Sequence, residues 1–189
     1  AQKALQIVIL SASRGGEVRK MAWEQIEQFD EAYAQKTGFA GIWMRPANLM
    51  KIGEADEAPI THYMMKVMRS AGTSSGLVFP SPTTGKELSE NALNKLMKDM
   101  QSADPEGGFF DRQSKRRAVS HGLRSTFSDW AGENQIDREV AEKQLAHKIG
   151  NTSQQAYFRT QLLALRAEAS NAFLAFLSQE ASKVRNYQI

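Results

Sequence analysis

Short extended segments interrupt an otherwise helical chain in residues 24–61, and this interruption limits the folds that the chain can adopt. Polar, glycine-containing turns separate the segments, and Pro46 and Pro59 punctuate them, as is typical of short strands. We predict strands near residues 25–29, 41–44 and 58–60. The sequence therefore predicts a mainly α fold with a small antiparallel β-sheet, an α+β class.

Apolar residues recur at helical spacing on both sides of this region. We predict helices over residues 3–11 (with a buried strand as the alternative), 61–70, 89–100, 120–132, 137–147 and 161–184. Their N-caps include Ser89, Ser120 and Asp137, whose side chains can accept hydrogen bonds from free backbone N–H groups. Core positions are predicted for Met64, Met65, Met68, Leu93, Leu96, Met97 and Met100, and along the last helix for Leu162, Leu165, Ala169, Phe173, Phe176 and Leu177.

The bulk composition fits one soluble domain. A chain of 189 residues with 41% apolar residues can bury a sizeable core, so residues 1–189 are assigned to a single domain. The chain contains no cysteine, which excludes disulfides, thiolate catalysis and cysteine-ligated zinc. It starts at Ala1 inside an apolar run that is too short to span a bilayer and unlike a signal peptide, so we expect a fragment of a longer protein.

Positive charge is concentrated in one short segment. The net charge of +3 permits a polyanionic partner without requiring one. Four basic residues lie just before His121, namely Arg112, Lys115, Arg116 and Arg117. Such a run is usually a solvated loop, but its position beside a polar cluster favours a DNA-binding edge that faces phosphates.

The polar cluster itself lies in residues 120–157. His121 and Arg124 are three residues apart and would share one face of a helix, and His147 and Tyr157 follow near predicted helix ends. Taken singly, each has an ordinary structural interpretation, such as a packed aromatic side chain or a histidine at a helix C-terminus. Near the other end of the chain, Arg14 is three residues from Glu17, a spacing that favours a surface ion pair.

The order of these residues resembles the catalytic set of the tyrosine recombinases, also called phage integrases. The matching residues are Arg14, Lys51, His121, Arg124, His147 and Tyr157. Four segments carry the resemblance: SASRGGEVRKMAW, NLMK, SHGLRSTFSDW and EKQLAHKIGN with the AYFR that follows it. They are similar to the integrases of satellite phages, prophages and genomic islands, and the resemblance extends over about residues 5–166. It implies the catalytic-domain fold of that family.

Phosphodiester cleavage needs cations that bind the non-bridging oxygens of the phosphate. Guanidinium groups bind such oxygens through two N–H groups and keep their protons, so Arg14 and Arg124 suit this role. His147 would hold a non-bridging oxygen, and His121 would take a proton or donate a hydrogen bond.

The resemblance assigns the remaining two roles. Tyr157 would be the nucleophile and form a 3′-phosphotyrosyl link, although a phenol with a pKa of about 10 needs a base or a cationic site near neutral pH. Lys51, in the connection between the second and third strands, would protonate the departing 5′ oxygen. The covalent link retains the energy of the broken bond, so no cofactor, ATP or metal is expected. The scattered histidines form no known metal motif.

The resemblance also implies partners and a place of action. Double-stranded DNA at attachment sites would be the substrate of a cytoplasmic, bacterial or phage-encoded recombinase that acts as a homotetramer on DNA. The isolated domain is compatible with a monomer, and residues 161–189 could pack on a neighbouring subunit. Two alternatives stay open: DNA relaxation like that of type IB topoisomerases, and a catalytically inert DNA-binding module of the same fold.

Overall fold

The computed structural model describes residues 1–51, 53–104, 110–111, 114–147 and 161–186, the last four of these by their backbone alone. Its helices are α1 (Gln2–Ser11), α2 (Gly15–Arg19), α3 (Glu31–Thr37), α4 (His62–Arg69), α5 (Ala92–Ala103), α6 (Gly122–Glu133), α7 (Arg138–Gln144) and α8 (Leu163–Asn186). Its strands are β1 (Ile26–Gln28), β2 (Gly41–Arg45) and β3 (Asp56–Ile60). Among the described helices, none is long and apolar enough to cross a bilayer.

The three strands form one antiparallel sheet in the order β1-β2-β3, which confirms the predicted α+β class. Alternate residues of β2 point into the core, among them Trp43, which is 1% exposed, and Arg45, which lies opposite Asp56 in the register. β2 starts at Gly41, where any Cβ would lie 2.3 Å from the carbonyl oxygen of Glu27. This close approach of two strands requires glycine.

The prediction for residues 24–61 missed a helix. The seven residues of α3 connect β1 to β2, where only turns were expected. Asp30 caps this helix by accepting a hydrogen bond of 2.8 Å from the N–H of Tyr33, and Gly38 ends it at φ 80°. Both residues are ordinary helix boundary signals, but the helix is only about two turns long and offers little periodicity between them.

Two apolar clusters form the core. The larger one joins α1, α4 and the sheet, and it includes Met64, Met65 and Met68, as predicted. The smaller one is rich in aromatic residues and joins α6 to α8, with the rings of Phe127 and Phe173 packed edge to face at 5.3 Å. Helix α1 contacts both clusters. Its C-terminal end therefore lies where the half of the domain that contains the sheet and α4 meets the half that contains α6 and α8.

Two predicted helix caps are wrong, and one is confirmed. Helix α5 begins at Ala92 after Asn91, two residues beyond the predicted cap at Ser89. Ser120 donates its hydroxyl and its backbone N–H to Asn94, at 2.9 Å each, and so ties α6 to α5 instead of capping α6. Asp137 does cap α7, since its carboxylate accepts from two backbone N–H groups.

Two predicted core positions are exposed. Met100 is 40% and Leu165 is 49% exposed. On α8 the inward-facing position next to Leu165 is Arg166, a fully buried residue with several polar partners. These polar partners determine the rotation of the helix about its axis, so its buried face is not the purely apolar stripe that the sequence pattern predicts.

Candidate active site

One pocket of about 370 Å³ brings five of the six predicted catalytic residues together. Its lining includes Arg14, Lys51, His121, Arg124 and His147. These residues are up to 133 positions apart in the chain and belong to both halves of the domain. The polar composition of the lining is suited to a charged group rather than to an apolar ligand.

Each side chain is held near the end of a helix or in a connection between strands. Arg14 is the N-cap residue of α2, and Lys51 is exposed in the connection from β2 to β3. His121 occupies the N-cap position of α6, with Arg124 one turn later, so the two share a face as their spacing predicts. His147 follows the C-terminus of α7. Their convergence depends on the tertiary fold and not on one local motif.

Glu17 holds Arg14 in place. One oxygen of its carboxylate lies 2.9 Å from Nη1 of Arg14, and the other accepts from the Arg14 backbone N–H at 3.1 Å. The predicted ion pair between Arg14 and Glu17 is present. Its predicted surface location is wrong, because the side chain of Glu17 is only 2% exposed and that of Arg14 is 20% exposed. Ionic contacts with buried carboxylates are screened little by solvent, so Arg14 has a fixed position at the pocket edge.

Arg124 is held in a different way, by main-chain carbonyl groups. It is 5% exposed and donates to the carbonyl oxygens of Ala12 and, at 2.5 Å, Leu145. Burial lowers the pKa of Arg124 to about 10, with repulsion from Arg14 and Arg45 adding to the effect and Glu17 opposing it. A pKa near 10 still leaves the guanidinium protonated at neutral pH.

His147 lies between a cation and an anion. Its Nδ1 is 2.8 Å from Oε2 of Glu142, and its Nε2 is 3.2 Å from Nη2 of Arg124. In the tautomer that satisfies both contacts, Nδ1–H donates to the carboxylate and Nε2 accepts from the guanidinium. His147 therefore orients Arg124 in this structure, and it would have to turn or gain a proton before Nε2 could donate to a phosphate oxygen.

A buried charge network lies beside the pocket, and the sequence interpretation missed it. Arg45 and Arg166 have fully buried side chains, and both contact Asp56. Arg166 also donates to the Gln144 side chain at 3.0 Å and to the backbone carbonyl of Glu57 at 2.7 Å. Burial lowers its pKa to about 10, an effect that Asp56 opposes and Arg45 increases. A sequence signal was available for Arg45, because alternation in β2 places it inward with Trp43.

The pocket also contains three residues that the sequence interpretation did not single out. Ser125, Ser128 and Asp129 line it from α6. With His121 and Arg124, the two serines have the spacing of one helix face, so this periodicity was the signal that could have found them. The hydroxyl groups can donate to phosphate oxygens, whereas the carboxylate of Asp129 would repel them.

The remaining predicted residues divide into two groups. Tyr157 and Arg112 lie outside the described residues. Lys115, Arg116 and Arg117 are exposed, and the carbonyl of Arg116 accepts a hydrogen bond of 2.8 Å from the N–H of Asp111. The pocket described above is not lined by these three. Their role in DNA binding stays a prediction.

The fold and this pocket define a mainly helical domain with a pocket that is lined by two arginines, a lysine and two histidines. The chain belongs to the phage integrase family, whose family model matches residues 1–162. It is similar to prophage integrase IntZ of Escherichia coli (strain K12), with 28% identity over 184 residues that cover 94% of this chain. The chain spans about 40% of the length of that relative. No solved structure matches the chain significantly.

Proposed function

We propose that the protein is a site-specific DNA recombinase that cleaves and rejoins strands through a 3′-phosphotyrosyl intermediate at Tyr157. The observation that carries this proposal is the convergence of two arginines, two histidines and a lysine on one pocket. Membership of the phage integrase family supports the same chemistry. Integration or excision of a prophage or genomic island would be the biological outcome.

The charge balance around the pocket favours a bound phosphate. Three cations and one carboxylate carry formal charge in the pocket lining: Arg14, Lys51, Arg124 and Asp129. The set therefore has a formal excess of two positive charges. A phosphodiester adds one negative charge, and a second negative charge develops as the phosphorus becomes five-coordinate. Fixed cations stabilise this developing charge without reorganisation.

The proposed cleavage step transfers one proton at each end of the reaction. The Tyr157 oxygen attacks the scissile phosphorus while His121 accepts the phenol proton. The bond from phosphorus to the 5′ oxygen breaks, and Lys51 donates a proton to that oxygen. Arg14 and Arg124 bind the non-bridging oxygens. A 5′ hydroxyl from another strand then reverses these steps, so the bond energy is conserved and strand exchange needs no ATP.

The proposed partner is double-stranded DNA at attachment sites in the bacterial cytoplasm. Binding through phosphates releases counterions, so we expect this domain alone to bind weakly and with strong dependence on salt. Exchange between two duplexes requires four cleavages, which a homotetramer would provide. Residues 161–189, the C-terminal helix and tail, are the proposed contact with a neighbouring subunit.

The proposal is tested by trapping the covalent intermediate. The full-length gene product is incubated with a nicked substrate that carries the element's attachment site, and the nuclease-trimmed protein is analysed by mass spectrometry. We expect a nucleotide on Tyr157 and no adduct with Tyr157→Phe. Tyr33→Phe and Tyr63→Phe are matched controls, because both tyrosines are exposed, at 49% and 42%, and neither lines the pocket.

The outcomes separate the proposal from its rivals. An adduct at Tyr157 with exchange between attachment sites supports recombination. An adduct on any duplex, accompanied by rapid relaxation of plasmids without such a site, would assign a topoisomerase activity instead. A folded full-length protein that binds the site but forms no adduct would be an inert DNA-binding module.

A further inference from the structure

Arg45 is a charged residue in a position that the strand pattern reserves for the core. It is the last residue of β2, it is 1% exposed, and its guanidinium lies 5.4 Å from the ring centre of Trp43. Its Nε has no hydrogen-bond partner among the described residues. A buried and incompletely satisfied ion pair is seldom more stable than an apolar side chain of similar volume. Stability alone is therefore a poor reason for an arginine here.

One end of the Arg45 guanidinium reaches toward Arg14. Its Nη1 donates to Oγ of Ser13 at 3.1 Å and to Oε2 of Glu17 at 3.4 Å. The same carboxylate binds Nη1 of Arg14 at 2.9 Å. Arg45 thus holds the carboxylate that holds Arg14, and it also binds Ser13, the residue directly before Arg14.

The other end of the guanidinium closes the base of the connection that carries Lys51. Its Nη2 binds the carboxylate of Asp56, the first residue of β3, which is paired with Arg45 across the two strands. The intervening residues 46–55 form the connection. Lys51 is exposed on it, while the neighbouring Met50 is 5% exposed and anchors it in the core.

We propose that Arg45 is a positioning residue that sets the places of Arg14 and Lys51 relative to the bound phosphate. It touches neither substrate nor pocket, and it acts through Glu17 on one side and Asp56 on the other. This inference rests on the proposed function, because it assigns the Lys51 ammonium the role of proton donor to the departing 5′ oxygen. Loss of Arg45 should therefore displace both residues, and the displacement of Lys51 should weaken that proton transfer.

The test compares two leaving groups in the full-length protein. One nicked substrate has the normal 5′ oxygen at the scissile phosphate, and the other has sulfur there. A thiolate leaves without protonation, so the ratio of adduct-forming rates, sulfur over oxygen, measures how far proton donation fails. We expect Lys51→Met to raise this ratio about 100-fold, the usual contribution of a general acid. Arg45→Met should raise it about 10-fold, because small displacements of a reacting group are costly.

The ratio distinguishes positioning from a merely structural role. A variant that is partly unfolded loses both rates in proportion, which leaves the ratio unchanged. Arg69→Met is the matched control, because Arg69 is an exposed arginine on α4 that contacts Gln28 away from the pocket. We expect this control to leave both rates and their ratio at the wild-type values.

Each outcome supports or overturns the positioning role of Arg45, the proposed function or both. If Lys51→Met raises the ratio and Arg45→Met does not, the positioning role is wrong while the proposed function stands. If the wild-type protein forms no adduct with either substrate, both proposals fall. If Arg45→Met does not fold, Asp56→Asn replaces it, since that change weakens the contact at the base of the connection and keeps the contacts of Arg45 with Ser13 and Glu17; its effect on the longer contact of Arg166 with Asp56 should lower both rates in proportion. An unchanged ratio in Asp56→Asn would then overturn the inference.

Discussion

The two arginines of the candidate site face the same pocket but are held by opposite means. Arg14 is bound by the buried carboxylate of Glu17, which itself contacts Arg45. Arg124 is bound by the neutral carbonyl oxygens of Ala12 and Leu145. The positive charge of Arg14 is thus compensated at close range by a carboxylate. The carbonyl contacts that hold Arg124 do not neutralise its positive charge.

This difference lets one site combine a fixed geometry with an attractive field. Burial lowers the pKa of Arg124 to about 10, and among the described residues no carboxylate contacts it directly to offset the cost of desolvation. A phosphate that enters the pocket would remove part of that cost. Arg14, whose partner is already present, would contribute more to orientation and less to attraction.

Conservative substitution of each arginine should separate these two contributions and has the largest expected effect. Arg124→Lys should slow adduct formation about 1,000-fold, the upper range for losing a preorganised donor. It should also lower the free energy of unfolding by about 2 kcal/mol, because one ammonium nitrogen does not reproduce the two guanidinium nitrogens that separately bind the Ala12 and Leu145 carbonyls. Single-turnover kinetics and urea unfolding provide the two measurements.

Arg14→Lys is the matched control for that experiment. It should slow the reaction by about 100-fold but lower the free energy of unfolding by less than about 1 kcal/mol, because Glu17 keeps Arg45 and the Arg14 backbone N–H. Equal losses of stability in the two variants would show that the carboxylate contact of Arg14 and the carbonyl contacts of Arg124 stabilise the fold equally. That result would contradict the difference proposed between the two arginines.

The limits of sequence-based prediction follow from the same contacts. The sheet, the capped helix α7 and the methionine core were predicted, because strand punctuation, an Asp cap and helical spacing are local signals. Residue order also predicted which side chains converge on the pocket, since five of them lie around it. Their roles in catalysis stay predictions.

The supporting network could not be predicted in the same way. The contacts of Arg166 reach back 109 positions to Glu57 and 22 positions to Gln144, and no periodicity encodes such pairs. Likewise, Glu17 has a spacing that suits a surface ion pair, and only the packing of α1, α2 and the sheet around it makes it buried. Local spacing reveals a partner in sequence, but the dielectric environment of the pair depends on the whole fold.

Removal of the compensating carboxylate should have the next largest effect. Glu17→Gln retains the shape of the side chain but leaves Arg14 and Arg45 without their shared anion. We expect the free energy of unfolding to fall by about 3 kcal/mol, because one partner of a buried ion pair is removed. Urea unfolding at low and high salt measures it, and the decrease should change little with salt because the pair is buried.

Glu142→Gln is the comparison for that variant, since Glu142 contacts the partly exposed His147 rather than a buried arginine. Its cost should be below about 1 kcal/mol. If Glu17→Gln were equally mild, the carboxylate would not be the principal support of Arg14, and the contrast with Arg124 would lose its physical basis.

The acidic residue in the pocket offers a smaller test of the attractive field. Asp129 lines the pocket on the α6 side, as does Arg124, whose positive charge the carbonyl contacts do not neutralise. Asp129→Asn should tighten binding of a short duplex about 5-fold at low salt, or about 1 kcal/mol for one removed like charge near the surface. Fluorescence anisotropy measures the change.

Glu31→Gln makes the same change in net charge on α3, where Glu31 is exposed and does not line the active-site pocket. It should alter the affinity by less than about 2-fold, the effect of a screened distant charge. Equal tightening in both variants would mean that net charge, and not the local field beside Arg124, governs attraction.

The smallest expected effect concerns the basic segment outside the pocket. Replacing Lys115, Arg116 and Arg117 by Gln should weaken duplex binding several-fold and lower the slope of log affinity against log salt by about 0.9 for each phosphate that the segment no longer neutralises. The corresponding triple change of Lys36, Lys66 and Arg69, which are also exposed, should leave the slope nearly unchanged. Adduct formation at saturating DNA should stay at the wild-type rate in both, because the site arginines are intact.

A fall in that saturated rate for the variant of Lys115, Arg116 and Arg117 would mean that the segment also shapes the pocket. The electrostatic field around Arg124 would then depend on groups beyond its own carbonyl contacts.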